Sequence, residues 1–288
     1  MMPRRLLCVI VLSAAAQAQQ APDASEQASV MEAIRASARA YAKNLPNFIC
    51  TQITRRELTL ANREGLASTH ETLGNRTNHM EAGASASVPQ SADTYEEQLT
   101  YFEKHEEYQL QKVNGKKQKA GQQRPPGMTS TGEFGTTLDA IFDPATHSQF
   151  EWKKWDTLRG APVYVFSFRV DKARSQAQLE VPSSRVVVGY HGLIYADRET
   201  KTVLRLTTEA EVPSDFPLQD VTHLLDYGKV EIAGQQFWLP LHGEMQTRMS
   251  EDFMKTGREG GHSRQVFLTN RVDFREYRKY TADSQLKP

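Results

Sequence analysis

The chain has 288 residues, with 35 basic and 35 acidic side chains, a formal net charge of zero and 39% hydrophobic content. This balance argues against general nucleic-acid binding and against a polybasic membrane-surface anchor, and the mean hydropathy of −0.59 leaves much of the chain facing water. The length allows one large domain or two small ones, and all-β domains of this size often stay single.

Residues 1–18 read as a cleaved signal peptide. Arg4 and Arg5 form a basic start, Leu6 to Leu12 an apolar run, and Ala16-Gln17-Ala18 supplies the small residues that place cleavage after Ala18. The apolar run is far short of the roughly 20 residues needed to span a bilayer, and no later segment is long enough either. The mature chain is therefore expected to be soluble and exported, to the periplasm or beyond the cell, and not an integral membrane protein. Lipidation at Cys8 is not expected, because Leu7 stands where a small residue is needed and the apolar core follows the cysteine. Loss of Arg4 and Arg5 leaves a net charge of about −2. Cys50 becomes the one mature cysteine, so stability is expected to come from burial and β-pairing without a disulfide. It reads as a small buried residue at the start of a strand, with an exposed thiol for intermolecular pairing as the alternative.

Residues 19–27 read as a polar linker, and residues 28–288 as a single β-rich domain. Val30, Ile34, Ala38, Tyr41 and Leu45 recur at helical spacing, and Pro46 stops that helix. Phe48, Cys50 and Ile53 open an extended segment to about Leu60. Residues 82–94 and 116–132 read as flexible loops, rich in small, polar, proline and glycine residues. Between them Leu99 to Val113 has β-type content, and Asn114-Gly115 signals a hairpin turn. A second helix is predicted over Glu133 to Phe142, with Phe134, Leu138, Ile141 and Phe142 on one side. The rest is β. Tyr164, Phe166, Phe168 and Val170 form an alternating row, as do Leu204 and Leu206, Phe237, Leu239 and Leu241, and Val266, Leu268, Val272 and Phe274. The last row carries a wet face of Thr269, Arg271, Asp273 and Arg275. Short connections at Asp197 to Thr202 and at Ala233-Gly234 make this an antiparallel meander, which argues against doubly wound and barrel-type α/β folds. The fold class is thus α+β and mainly antiparallel β, a curved sheet with an N-terminal helix and one or two further short helices.

No catalytic, cofactor-binding or metal-binding residues emerge. His70-Glu71 and His105-Glu106 begin like zinc-protease helices, but the fourth residue after each histidine is Gly74 and Gln109, which leaves a metal one ligand short. Ser284 and Lys287 have Ser-x-x-Lys spacing in a polar tail, where a nucleophile lacks burial and an oxyanion site. Gly257, Gly260 and Gly261 beside Arg258 lack the strand–turn–helix context of an anion loop. The carboxylates of Glu96, Glu97, Glu103, Glu106, Glu107 and Glu180 show no pairing in sequence, and Asn75-Arg76-Thr77 is a glycosylation acceptor only in a eukaryotic pathway. The aromatics Trp152, Trp155, Tyr164, Phe166, Phe168, Tyr190, Tyr195, Phe237 and Trp238 are mostly expected in the core, some of them lining an apolar concavity of a curved sheet.

The helix ending in Leu45-Pro46, the segment Phe48 to Gln52 and the long meander resemble the periplasmic lipoprotein-carrier (LolA-like) architecture and the related RseB-type sensor domain. Gly189 to Asp197 with its return strand Thr202 to Thr208 is similar to a hairpin of those domains. Leu45 to Gln52 and Phe274 to Tyr280 also look like a group of exported bacterial proteins. The resemblance covers most of residues 28–280. It implies a half-open β-barrel with a helical lid and an apolar cavity that shields acyl chains, and it carries over no particular binding residue. The leading expectation is a non-enzymatic envelope module for a lipid, lipoprotein or other apolar ligand. The alternatives are a sensor contacting an envelope protein, and a hydrolase whose site is assembled from distant residues. Export to a compartment without ATP removes cytoplasmic nucleotide chemistry.

Overall fold

Asp23 caps the first helix, α1 (Ala24–Asn44), its side chain accepting the Glu26 amide at 2.8 Å. This and all that follows comes from a computed structural model, which describes residues 20–60, 91–124, 133–182, 184–256 and 264–281. The signal segment and most of the first expected loop lie outside the described residues. The helix begins inside the stretch read as a linker, because Asp23 supplies a cap that apolar periodicity does not reveal. Val30, Ile34 and Ala38 are buried as their spacing predicts, with Tyr41 and Leu45 packed against the same core and Met31 added to it.

The strands are β1 (Phe48–Leu60), β2 (Ser91–Phe102), β3 (His105–Val113), β4 (Lys116–Lys117), β5 (Gln149–Leu158), β6 (Ala161–Val170), β7 (Gln178–Val181), β8 (Ser184–Val187), β9 (Tyr190–Asp197), β10 (Val203–Ala210), β11 (Leu218–Ile232), β12 (Gln235–Ser250) and β13 (Gln265–Lys279). Helix α2 (Thr136–Phe142) lies between β4 and β5, and α3 (Glu251–Thr256) follows β12. The loops read at 82–94 and 116–132 are shorter than expected, since Ser91 already pairs in β2 and Lys116–Lys117 closes a hairpin. Leu99 to Val113 is two strands, turning at Glu103-Lys104. Of the stretch 133–142, only Thr136 onward is helical, after Gly135 at φ 102°. Tight turns sit where both residues reach positive φ: Asn114-Gly115 (50°, 78°), Ala233-Gly234 (51°, 81°) and Arg159-Gly160 (51°, 82°).

Eleven strands form one open sheet in the order β4-β3-β2-β1-β13-β12-β11-β10-β9-β6-β5, every neighbouring pair antiparallel. The meander runs from β5 to β13, with β7–β8 as a side hairpin, and β1 to β4 continue it from the other end. The two free edges, β4 and β5, are consecutive among the described strands, and the described residues 118–124 and 133–148 lie between them in the chain.

That connection shows the curvature. Phe134 packs 5.1 Å from Phe48 on β1 and from Phe274 on β13, and Phe142 stacks 5.4 Å from Phe150 on β5. Strands β1 and β5 are seven steps apart, about 34 Å in a flat sheet at roughly 4.8 Å per step. Two extended and six helical steps separate Phe134 from Phe142 by only about 16 Å. The sheet therefore curls round α1 and α2 as a half-barrel. Residues of both helices and of most strands meet in one core on its concave side. A second cluster (Val181, Phe216, Leu218, Met249, Phe253, Val266) fills the far end, and a third (Leu158, Val163, Val165, Tyr195, Leu204) is separate from both.

Two rows differ from the expected alternation. A register shift between Val203 and Arg205 puts Leu204 in the third cluster while Leu206 joins the main core. In β13, Thr269 on the expected wet side is buried.

Gly192 is required by close approach: a Cβ there would lie 1.8 Å from the Thr207 carbonyl oxygen. Gly192→Ala is expected to destabilise the fold by about 3 kcal/mol, measured by chemical denaturation. Phe166→Asp and Leu239→Asp, at 2% and 0% exposure, are expected to abolish folding, measured by near-UV circular dichroism and solubility.

Candidate functional site

The concave face is the place where large side chains from distant segments converge. Directly opposed residues of antiparallel strands share a face, so the register gives its lining. Along β1 it passes through three zones. Phe48 and Cys50 are apolar, opposite Tyr101 and Leu99. Gln52, Thr54 and Arg56 are polar, opposite Glu97, Tyr95 and Asp93 on one side and Phe274, Val272 and Asn270 on the other. Leu58 and Leu60 are apolar again, opposite Leu268 and Val266.

The polar zone is buried and internally bonded. Arg124, from the edge-to-edge connection, reaches Glu97 with its guanidinium, Nε lying 3.0 Å from Oε1 and Nη2 donating to Oε2. Gln52 donates to Glu97 at 3.5 Å and to Thr54 at 3.2 Å, and Arg56 Nε donates to Asn270 at 3.4 Å. Both guanidiniums lie over the Tyr95 ring, at 5.0 Å for Arg56 and 5.9 Å for Arg124. Burial, and then Arg56, bring the Arg124 guanidinium down to about 10. Glu97 is 3% exposed, so this pair latches the crossing segment onto β2.

The apolar zone under α1 carries the aromatics. Tyr41 meets Tyr227 edge-on at 5.8 Å, and Phe48 is ringed by Tyr101, Phe134 and Tyr277 at 5.1–5.4 Å. Cys50 is wholly buried, and that burial pushes its thiol well above the usual range, so it is no nucleophile. A small pocket of about 10 Å³ lies between α1 and the sheet, lined by Ser37, Ala38, Tyr41, Leu138, Tyr227 and Trp238 with Thr202 and Val203. The hydroxyls of Tyr41 and Tyr227 are buried and make no hydrogen bond among the described residues. Burial raises both far above the ordinary phenol value, with Tyr227 adding to the effect on Tyr41 and Glu133 to that on Tyr227.

Among the described residues, side-chain contacts alone tie α1 down. Arg39 donates to the Phe142 carbonyl at 3.0 Å, and Arg35 lies 5.5 Å over the Phe150 ring. Just before the helix, the Trp155 indole donates to the Gln20 carbonyl at 3.0 Å. The hinge after it is anchored, since Asn47 accepts the Glu103 amide through Oδ1 at 3.0 Å and the Tyr280 amide through its carbonyl at 3.1 Å.

The motifs noted in the sequence fall away from this face: His105 sits at an exposed turn, its Nδ1 2.9 Å from the Glu103 carbonyl. His70, Asn75, Ser284, Lys287, Gly257, Gly260 and Gly261 lie outside the described residues. Among the described residues no three His, Cys, Asp or Glu side chains gather as a metal site. Of the candidate carboxylates, Glu97 binds Arg124, Glu96 binds Lys112 at 2.7 Å, and Glu106 accepts from Tyr108 at 2.6 Å. The expected aromatics converge on the main core except Tyr195, which lies in the third cluster. Tyr227, Arg56 and Arg124 were not visible as site residues, although polar residues at alternate positions 52, 54 and 56 of an otherwise apolar row were a usable signal.

Against known proteins, no family model and no curated protein matches the chain. Several solved structures are similar to it at low identity and at TM-scores under 0.5. A LolA superfamily protein of Nitrosomonas europaea shares 11% identity at a TM-score of 0.36, over 88% of this chain and 96% of that one. A Vibrio parahaemolyticus domain described as outer membrane lipoprotein-sorting shares 12% at 0.36, over 86% and 92%. A chain of the Pseudomonas aeruginosa MucA/MucB complex shares 9% at 0.22, over 89% and 100%. Among the described residues no helix is long and apolar enough to cross a membrane.

Glu97→Ala leaves Arg124 and Gln52 without their acceptor and is expected to lower stability by about 3–5 kcal/mol, read by urea denaturation; a loss under about 1 kcal/mol would show that the latch is not made in solution. His223 on β11, opposite Met245, is pushed down to about 4 by burial. The unfolded imidazole, near 6.5, takes up its proton first, so stability is fully present above about pH 6.5 and falls as pH drops towards about 4. His223→Phe is expected to flatten that part of the stability–pH curve.

Proposed function

We propose that this chain is an exported, non-enzymatic binding module that holds an acyl-bearing ligand between α1 and the concave face of the sheet. The observation that carries this reading is the aromatic-lined face closed by a helix that side-chain contacts attach. The pocket holds only about 10 Å³, room for about one water and far below the roughly 300–1,000 Å³ of ordinary ligand sites. A chain-like ligand therefore enters as α1 lifts about its anchored hinge at Asn47, replacing the contacts of Val30, Met31 and Ile34 with its own methylenes. The signal-like residues 1–18 support delivery outside the cytoplasm. The inaccessible, protonated Cys50 speaks against thiol chemistry in the core, and the Arg124–Glu97 pair reads as a structural latch because both partners are already engaged.

The test is organic extraction of the purified mature protein followed by mass spectrometry, with a thermal-shift titration by a twelve-carbon acyl chain. Bound acyl lipid and a rise of several degrees in melting temperature are expected. No extracted lipid together with no shift would sink the reading.

A further inference from the structure

The pocket under α1 holds a feature that hydrocarbon does not explain. Two phenol hydroxyls, from Tyr41 on the helix and Tyr227 on β11, are buried without a hydrogen-bond partner among the described residues, and both side chains line the same pocket. Tyr227 is 1% exposed. A buried donor left unbonded costs roughly 1–3 kcal/mol, which a purely apolar site avoids by carrying phenylalanine. The rest of the lining mixes Ser37 and Thr202 with Ala38, Leu138, Val203 and Trp238, which suits a ligand with one polar atom in an apolar body. The Glu133 carboxylate acts on Tyr227 electrostatically, and a buried negative charge nearby disfavours a second anion.

We infer that Tyr41 and Tyr227 form a paired-donor subsite for the neutral carbonyl oxygen of an acyl ester or amide, a donor from the helix and a donor from the sheet meeting on one acceptor. This rests on the acyl-binding reading and sharpens it. Because one donor sits on the movable cover and the other on the fixed sheet, the carbonyl itself would hold α1 closed, so the ligand completes its own enclosure. A hydrocarbon of equal length lacks that link.

The experiment displaces the fluorescent probe N-phenyl-1-naphthylamine from the full mature chain with methyl dodecanoate, dodecanoate and dodecane, in the wild type and in the Tyr41→Phe/Tyr227→Phe double variant. In the wild type the ester is expected to compete about tenfold better than dodecane, and in the double variant the two are expected to be equal. The double variant, having lost two unbonded donors, is expected to melt no lower than the wild type without ligand. Equal competition by ester and dodecane in the wild type would overturn the tyrosine assignment while leaving acyl binding intact. Failure of all three ligands to displace the probe would overturn both. Tighter binding of dodecanoate that survives in the double variant would overturn the neutral-carbonyl class. A lower melting temperature in the double variant would show the hydroxyls bonded within the protein, and would overturn the subsite.

Discussion

An open sheet with an aromatic concave face must be covered, and the rest of this structure follows from how the cover is supplied. Eleven antiparallel strands leave edges at β4 and β5. Of the chain between them, the described residues put Phe134, Leu138, Ile141 and Phe142 into the core on the concave side. Helix α1 covers what remains. A sheet that closed on itself would need neither, and would hold no space under a helix.

The two covers are attached differently, and the difference bears on what moves. The crossing segment is fixed at both ends by backbone pairing of β4 and β5 and by the buried Arg124–Glu97 pair. Among the described residues α1 itself is held by side chains, and backbone bonding to the sheet begins at Asn47, just after it. Much of it is alanine and serine, and its apolar stripe is narrow, so it seals the face with less buried surface than a leucine-rich helix would. Its polar attachments to α2 and β5 come from Arg35 and Arg39. A cover of this kind is displaced more readily than a strand, because no ladder hydrogen bonds have to break.

Polarity inside the half-barrel is arranged in bands. The Gln52–Thr54–Arg56 zone separates two apolar clusters along β1, and it is satisfied by Glu97, Asn270 and Arg124. The tyrosine pair in the apolar zone is not so satisfied. Buried polar groups that are fully bonded fix a structure, whereas an unbonded pair beside a pocket adds nothing to its stability.

Much of the fold was legible in the sequence because its signals are local. The period of α1, its stop at Pro46, the Asn114-Gly115 and Ala233-Gly234 turns and the alternating rows of β6 and β13 depend on neighbours within a few residues. Even there, Leu204 was misplaced, since a bulge is a property of two strands and cannot be seen in one. The tyrosine pair and the polar zone of the concave face were not legible. Tyr41 read as one more member of an apolar stripe and Arg124 as part of a loop, and nothing local singled out Tyr227. Their meaning comes from register between segments far apart in the chain, which propensity and periodicity do not encode. The sequence by itself determined many of the helix and strand stretches and, through its turns, that the meander is antiparallel. Only the tertiary structure decided which faces meet, because that is set by curvature and by the chain that must cross from β4 to β5.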